Sequence, residues 1–214
     1  MPARRVVLAT GNAGKLGEMR AILAGHGLEV VAQSELGILP PVEDGESFVA
    51  NALIKARHAA TIARLPAIAD DSGIEVDALG GRPGIHTARY AGPRPTRRAN
   101  NEKLLAELSG VPAARRGARY RCAMVFVREA GDPAPIVTEA SWEGQIGFER
   151  RGAGGFGYDP LFVVAGTTIT AAEMPAAEEE PREPPRTGAG GACGEDEVGG
   201  LVRLGPEEVT LTFP

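Results

Sequence analysis

The chain has 214 residues, 43% of them hydrophobic and 24% charged, with a formal net charge of −5. That composition suits one compact domain or two closely packed lobes. It excludes a basic nucleic-acid surface and shows no apolar run near the roughly 18–20 residues of a membrane span, although a small anionic ligand needs only a local positive pocket.

In chain order, Arg5-Val6-Val7-Leu8-Ala9-Thr10 has the apolar, β-branched profile of a buried strand. A turn at Gly11-Asn12-Ala13-Gly14 follows, then a helix from Lys15 to Gly25 with Leu16, Met19, Ile22 and Leu23 on one face. Leu28 to Ala32 reads as a second strand. Ser47 to Leu65 reads as a longer amphipathic helix marked by Phe48, Ala52, Ile54, Ala59 and Ile62, with Asp44 or Ser47 as its cap. Leu65 to Ala69 then delivers the chain to Asp70-Asp71-Ser72-Gly73 at a strand end. Thr96 to Ser109 is a further helix. Tyr120 to Arg128 and Ile136 to Phe148 are long strands, and Leu161 to Val164 a short one. Strands alternating with helices, followed by paired strands, indicate an α/β fold with a mixed sheet.

From Glu178 the composition changes. Glu178-Glu179-Glu180-Pro181-Arg182-Glu183-Pro184-Pro185-Arg186 runs into a glycine-rich acidic stretch ending near Gly200. The expected organisation is a folded unit over 1–178 and a Pro/Gly/Glu-rich, poorly ordered tail over 179–214.

Cys122 and Cys193 lack metal-ligand spacing, and Cys122 sits in an apolar run where a small buried hydrophobe is expected. His26, His58 and His86 form no helical zinc pair. Arg4-Arg5 leads directly into strand-like residues, which reads as no secretion signal, so a reducing cytoplasm is the expected compartment.

Three stretches carry chemistry. Thr10-Gly11-Asn12-Ala13-Gly14-Lys15 sets small residues, an amide and a lysine at a helix N-terminus, where backbone N–H groups and the helix dipole favour an anion. It is not a Walker A loop, because Ala9 stands where that motif needs glycine and Leu16 where it needs Ser or Thr. A kinase or P-loop NTPase is therefore disfavoured, while a plain strand-to-helix turn stays open. Glu43-Asp44-Gly45 and Asp70-Asp71-Ser72-Gly73 gather carboxylates whose charge needs compensation. Magnesium bridged to a triphosphate would supply it, and one acid could orient water; a helix-capping loop with solvated acids is the alternative. Gly154-Gly155-Phe156-Gly157-Tyr158-Asp159-Pro160 offers an aromatic face for a purine and an aspartate to accept protons, or equally a hairpin turn with core aromatics.

Taken together these stretches resemble the inosine/xanthosine triphosphate pyrophosphatases. The resemblance includes Glu43 to Ala52, Ala69 to Leu79 continuing through Pro83 to Gly92, and Gly155 to Pro160, and spans about Arg5 to Glu178 in the family's order. It implies an elongated two-lobed mixed sheet flanked by helices, hydrolysis of ITP, dITP and XTP to monophosphate and pyrophosphate, a Mg2+ cofactor and a homodimer. It further implies that Thr10, Gly11, Asn12, Ala13, Gly14 and Lys15 hold phosphates and that Glu43 and Asp71 bind the metal with Asp70 beside them. Asp71 would be the base for water, Ser72 would contact substrate, and Phe156, Gly157, Tyr158 and Asp159 would form part of the base site.

The tail departs from that pattern. Where the family carries lysine-asparagine and then serine-histidine-arginine-glycine, this chain has Glu179 and Pro184-Pro185. Residues 179–189 admit codons that, shifted forward by one base, read K-N-R-V-S-H-R-G-R-A-L, the family's motif. A single-base frameshift near Glu178 or Glu179 is the expected origin, with a diverged tail as the alternative. Loss of that positive wall would weaken binding of an anionic substrate and makes a catalytically impaired nucleotide-binding relic the alternative function.

Overall fold

The computed structural model describes residues 4–175, 198–204 and 207–213. A six-stranded sheet runs in the order β2-β1-β3-β4-β5-β6, where β1 is Arg4–Ala9, β2 Leu28–Ala32, β3 Ala67–Val76, β4 Gly117–Val127, β5 Ile136–Ile146 and β6 Phe162–Val164. β1 pairs in parallel with β2 and β3, and β3 to β6 are antiparallel neighbours. The helices are α1 (Ala13–Ala24), α2 (Phe48–Ala63) and α3 (Arg97–Glu107). Each starts on a side-chain cap that satisfies orphan N–H groups, Asn12 for α1, Ser47 for α2 and Thr96 for α3. Of the two candidates for α2, Ser47 and not Asp44 is the cap.

The period-two alternation of β1 divides the first lobe into two core layers. Val6 and Leu8 pack with Met19 and Leu23 of α1, while Val7 and Ala9 meet Ala52, Ala56, Ala59 and Ala60 of α2. The small α2 residues bring that helix close to the sheet. Ile62, expected on the apolar face, is 53% exposed, because the buried stripe follows the alanines instead. A second lobe forms where β3, β4 and β5 extend beyond β1. There Ile74, Val76, Ala118, Ile146 and Phe162 pack with Leu104 and Leu108 from α3 and the segment after it. The elongated two-lobed α/β fold expected from the sequence is thus the observed one.

One expectation is corrected. Asp70 and Asp71 are not at a strand end: β3 continues to Val76, paired with β4 from Ala67↔Val127 to Val76↔Ala118. What ends is the neighbour. β1 pairs with β3 only up to Ala9↔Ala69, so β3 is interior up to Ala69 and loses β1 as a partner from Asp70 onward.

Beyond the sheet, β7 (Val198–Leu204) and β8 (Glu207–Phe213) form an antiparallel pair whose backbone lies near α1 and β5. Most of the segment expected to be poorly ordered, 179–197, lies outside the described residues, as does the substituted motif at Glu179 and Pro184-Pro185. Among the described residues no helix is long and apolar enough to cross a membrane.

Candidate active site

The notch left by β1 opens into a cavity of about 700 Å3 that runs from the β1–α1 turn to the loop before β6. Because β3 is extended, its successive carboxylates point to opposite faces, and each meets a different lysine.

On the α1 face, Asp70 is 8% exposed and ion-paired with Lys15. Lys15 Nζ also donates to Ser72 Oγ at 2.7 Å, and Ser72 Oγ lies 3.2 Å from Asp70 Oδ2. Burial alone would push the Lys15 pKa down, but Asp70, aided by Asp71, carries it above its ordinary value. Cys122 lies 3.6 Å from Ser72 Oγ; burial raises its thiol pKa, so it is the small buried residue expected and not an activated nucleophile.

On the α2 face, Asp71 Oδ1 accepts from Lys55 Nζ at 3.0 Å and Oδ2 from Asn51 Nδ2 at 3.2 Å. Lys55 Nζ is also 3.5 Å from Glu43 Oε1. Asn51, fully buried, uses its Oδ1 to accept the Gly45 N–H at 2.9 Å, which fastens the acidic loop to the Asp71 side chain. Asn51 and Lys55 were not singled out in the sequence. The usable signal is their spacing of one helical turn directly after the acidic loop, which puts both on one face of α2.

Glu43 and Asp71 therefore converge on one cation, whereas Asp70 is held by Lys15 on the other face of the strand. Among the described residues no three His, Cys, Asp or Glu side chains gather as a metal-binding group. Two hard oxygen donors fit Mg2+, which takes few protein carboxylates and completes its shell with phosphate oxygens and water. The charge balance agrees. Lys15, Lys55 and Arg121 line the cavity against Glu18, Glu43, Asp70, Asp71 and Asp159, so a polyphosphate needs an additional cation to enter.

The first loop differs from its expected form. Three of its N–H groups are already engaged: Asn12 Oδ1 accepts from Gly14 N (2.9 Å) and Lys15 N (3.4 Å), and Thr10 Oγ1 accepts from Asn12 N (3.2 Å). What faces the cavity is Thr10, Gly11, Asn12, Gly14 and Lys15 at the positive end of the α1 dipole. Ala13 is the first residue of α1.

At the far end, Phe156, Gly157, Tyr158 and Asp159 line the cavity together with Tyr120 and Trp142. Phe156 is 64% exposed, with the Arg97 guanidinium 4.4 Å from its ring centroid. Tyr158 is instead a core residue whose hydroxyl donates to the Thr87 carbonyl at 3.0 Å; burial raises its pKa. Asp159 accepts from the Tyr120 hydroxyl at 2.7 Å and from the Phe156 N–H. Its carboxylate thus folds the loop. Gly155 adopts φ +74°, and a Cβ there would collide with the Asp159 side chain, so glycine is required.

This two-lobed fold with a polar cleft along its notch has counterparts among known proteins. The profile of the Ham1 family matches residues 6–182. The dITP/XTP pyrophosphatase of Methylococcus capsulatus is 58% identical over 176 residues, 82% of this chain and 88% of that protein. The dITP/XTP pyrophosphatase of Thioalkalivibrio sulfidiphilus is 54% identical over 178 residues, 83% of this chain and 91% of that protein. The structure of a HAM1 protein from Coxiella burnetii superposes with a TM-score of 0.77 at 41% identity, covering 80% of this chain and 87% of that one. The match runs through both lobes and every stretch that lines the cleft: the chain belongs to the Ham1 family.

Proposed function

We propose that this chain hydrolyses the non-standard purine nucleoside triphosphates ITP, dITP and XTP to monophosphate and pyrophosphate, with Mg2+, as a cytoplasmic homodimer. The observation that carries the reading is Asp71, whose carboxylate is fixed by Asn51 and Lys55 beside Glu43 in the cleft of a Ham1-family fold. High identity to enzymes named dITP/XTP pyrophosphatases favours turnover over a nucleotide-binding relic.

In this reading Asp71 orients a water and takes its proton as the oxygen attacks the α-phosphorus. The bond from that phosphorus to the bridging oxygen breaks, and pyrophosphate leaves. Lys15 offsets charge on the phosphate chain from the α1 side, and Lys55 does so from the α2 side. Glu43 and Asp71 would hold Mg2+, which supplies charge neutralisation and Lewis acidity. Phe156 and the loop around it would receive the purine, with the preference for a 6-oxo base carried over from the relatives.

The test is product analysis with ITP and Mg2+. Pyrophosphate and IMP are expected, whereas orthophosphate as the first product would overturn the assignment. A chain whose residues 179–214 are replaced by the one-base-shifted reading is expected to bind ITP more tightly, by restoring cationic groups. Equal KM in both chains would show that the substituted motif is dispensable.

A further inference from the structure

The loop Gly154 to Asp159 is held at its two sides by residues the sequence reading did not single out. From β4, Tyr120 donates its hydroxyl to Asp159 Oδ1 at 2.7 Å, while Asp159 Oδ2 accepts the Phe156 N–H. The Tyr120 ring is confined between Trp142, with ring centroids 6.2 Å apart, and Phe162 at 4.8 Å, so its hydroxyl is aimed by packing. Burial, then the Asp159 charge, raises the phenol pKa well above its ordinary value, which leaves Tyr120 a donor across the working pH range. From α3, the buried Asn101 donates to the Gly157 carbonyl at 3.0 Å and to the Arg97 carbonyl at 2.8 Å. The Phe156 ring lines the cavity and packs against the Arg97 guanidinium.

We propose that Tyr120 is a positioning residue: by holding the Asp159 carboxylate it fixes the loop that presents Phe156 to the cleft, and so sets affinity for the purine end of the substrate. The inference rests on the cleft taking a purine nucleoside triphosphate. It also gives Asp159 a role in folding the loop, through the donors that each of its oxygens already has. A preorganised loop binds without the cost of ordering it, and a loop released at one anchor must be ordered at each encounter.

Tyr120→Phe keeps the ring and its packing and removes only the hydroxyl. KM for ITP is expected to rise about ten-fold, on the scale of a lost hydrogen bond to a charged group. The kcat should stay within about two-fold, because the chemistry lies at Asp71. Inhibition by inorganic tripolyphosphate, which lacks a base, should be unchanged. Adding Tyr120→Phe to Asp159→Asn should cost no more than Asp159→Asn alone. An unchanged KM, an equal loss for ITP and tripolyphosphate, or additive losses in the double variant would each overturn the proposal. Trp142, the chain's one tryptophan, lines the same cavity, so its quenching on ITP binding reads the affinity ratio without turnover. A wild-type chain that fails to release pyrophosphate would sink the proposed function, while the fluorescence ratio would still decide the part played by Tyr120.

Discussion

The two ends of the cleft are built on opposite electrostatic plans. At the notch end, each carboxylate of β3 is matched to its own lysine, Asp70 to Lys15 and Asp71 to Lys55, and the pairs sit on opposite faces of one strand. At the loop end, one carboxylate serves a hydroxyl and a backbone N–H, and aromatic rings supply the surface. A notch lined with paired charges can exchange partners when a polyanion arrives. The loop end instead offers a fixed shape. In the proposed function chemistry and selection are thus separable along the cleft, and substitutions at the two ends should have different kinetic signatures.

The largest expected effect is at the notch. Asp71→Asn removes the proposed proton acceptor while keeping a similar side chain, and kcat should fall about 10^3-fold, within the range for a general base. Lys55→Met should lower kcat/KM by roughly 10^2, because it removes a cation and leaves Glu43 and Asp71 facing each other without it. If either change raised KM alone, the division of labour would be wrong. At the loop end, Phe156→Ala should raise KM for ITP about ten-fold with kcat nearly constant, as expected for lost aromatic contact area. A collapse of kcat there would erase the contrast.

Two further changes test the frame that separates the ends. A Cβ at Gly73 would lie 2.5 Å from Thr87 Oγ1, 2.6 Å from the Gly84 carbonyl oxygen and 2.8 Å from a Phe48 ring carbon. Gly73→Ala should therefore destabilise by about 1–3 kcal/mol, read as a lower melting temperature. The smallest effect concerns acid stability. Asp132 is buried, and the N–H groups of Arg128 and Ala134 hold its carboxyl below the ordinary value of 3.8. Its contribution is present above that value and lost as pH falls through the depressed one. Asp132→Asn should lower stability at neutral pH and flatten the acid limb of a melting-temperature profile. An unchanged limb would show that other carboxylates set it.

Much of this was legible in the sequence. The apolar alternation and turn residues locate β1, α1, β2, α2, α3 and the two long antiparallel strands to within a few residues. The continuation of β3 through Asp70-Asp71-Ser72-Gly73 was not legible, because these residues have weak strand propensity and the ladder to β4 imposes the extended form. The separation of Asp70 from Asp71 follows from that strand and was hidden with it. Lys55 and Asn51 look in sequence like ordinary polar positions of an amphipathic helix, and only tertiary packing directs them at Asp71. The loop-folding bonds of Asp159 were hidden for a related reason. A lone carboxylate in a glycine-rich loop suggests a ligand contact, and its donors, Tyr120 and the Phe156 N–H, can be identified only once the loop is folded.

The early end of β1 has a consequence for how such a cleft can vary. The cavity is a strand's worth of missing sheet, bounded where Ala9 faces Ala69. Extending β1 by two residues in the same register would bring backbone alongside Asp70 and Asp71 and fill the notch with ladder hydrogen bonds. The length of one strand is therefore a size gauge for the cleft, set by hydrogen-bond register and independent of the side chains that line it.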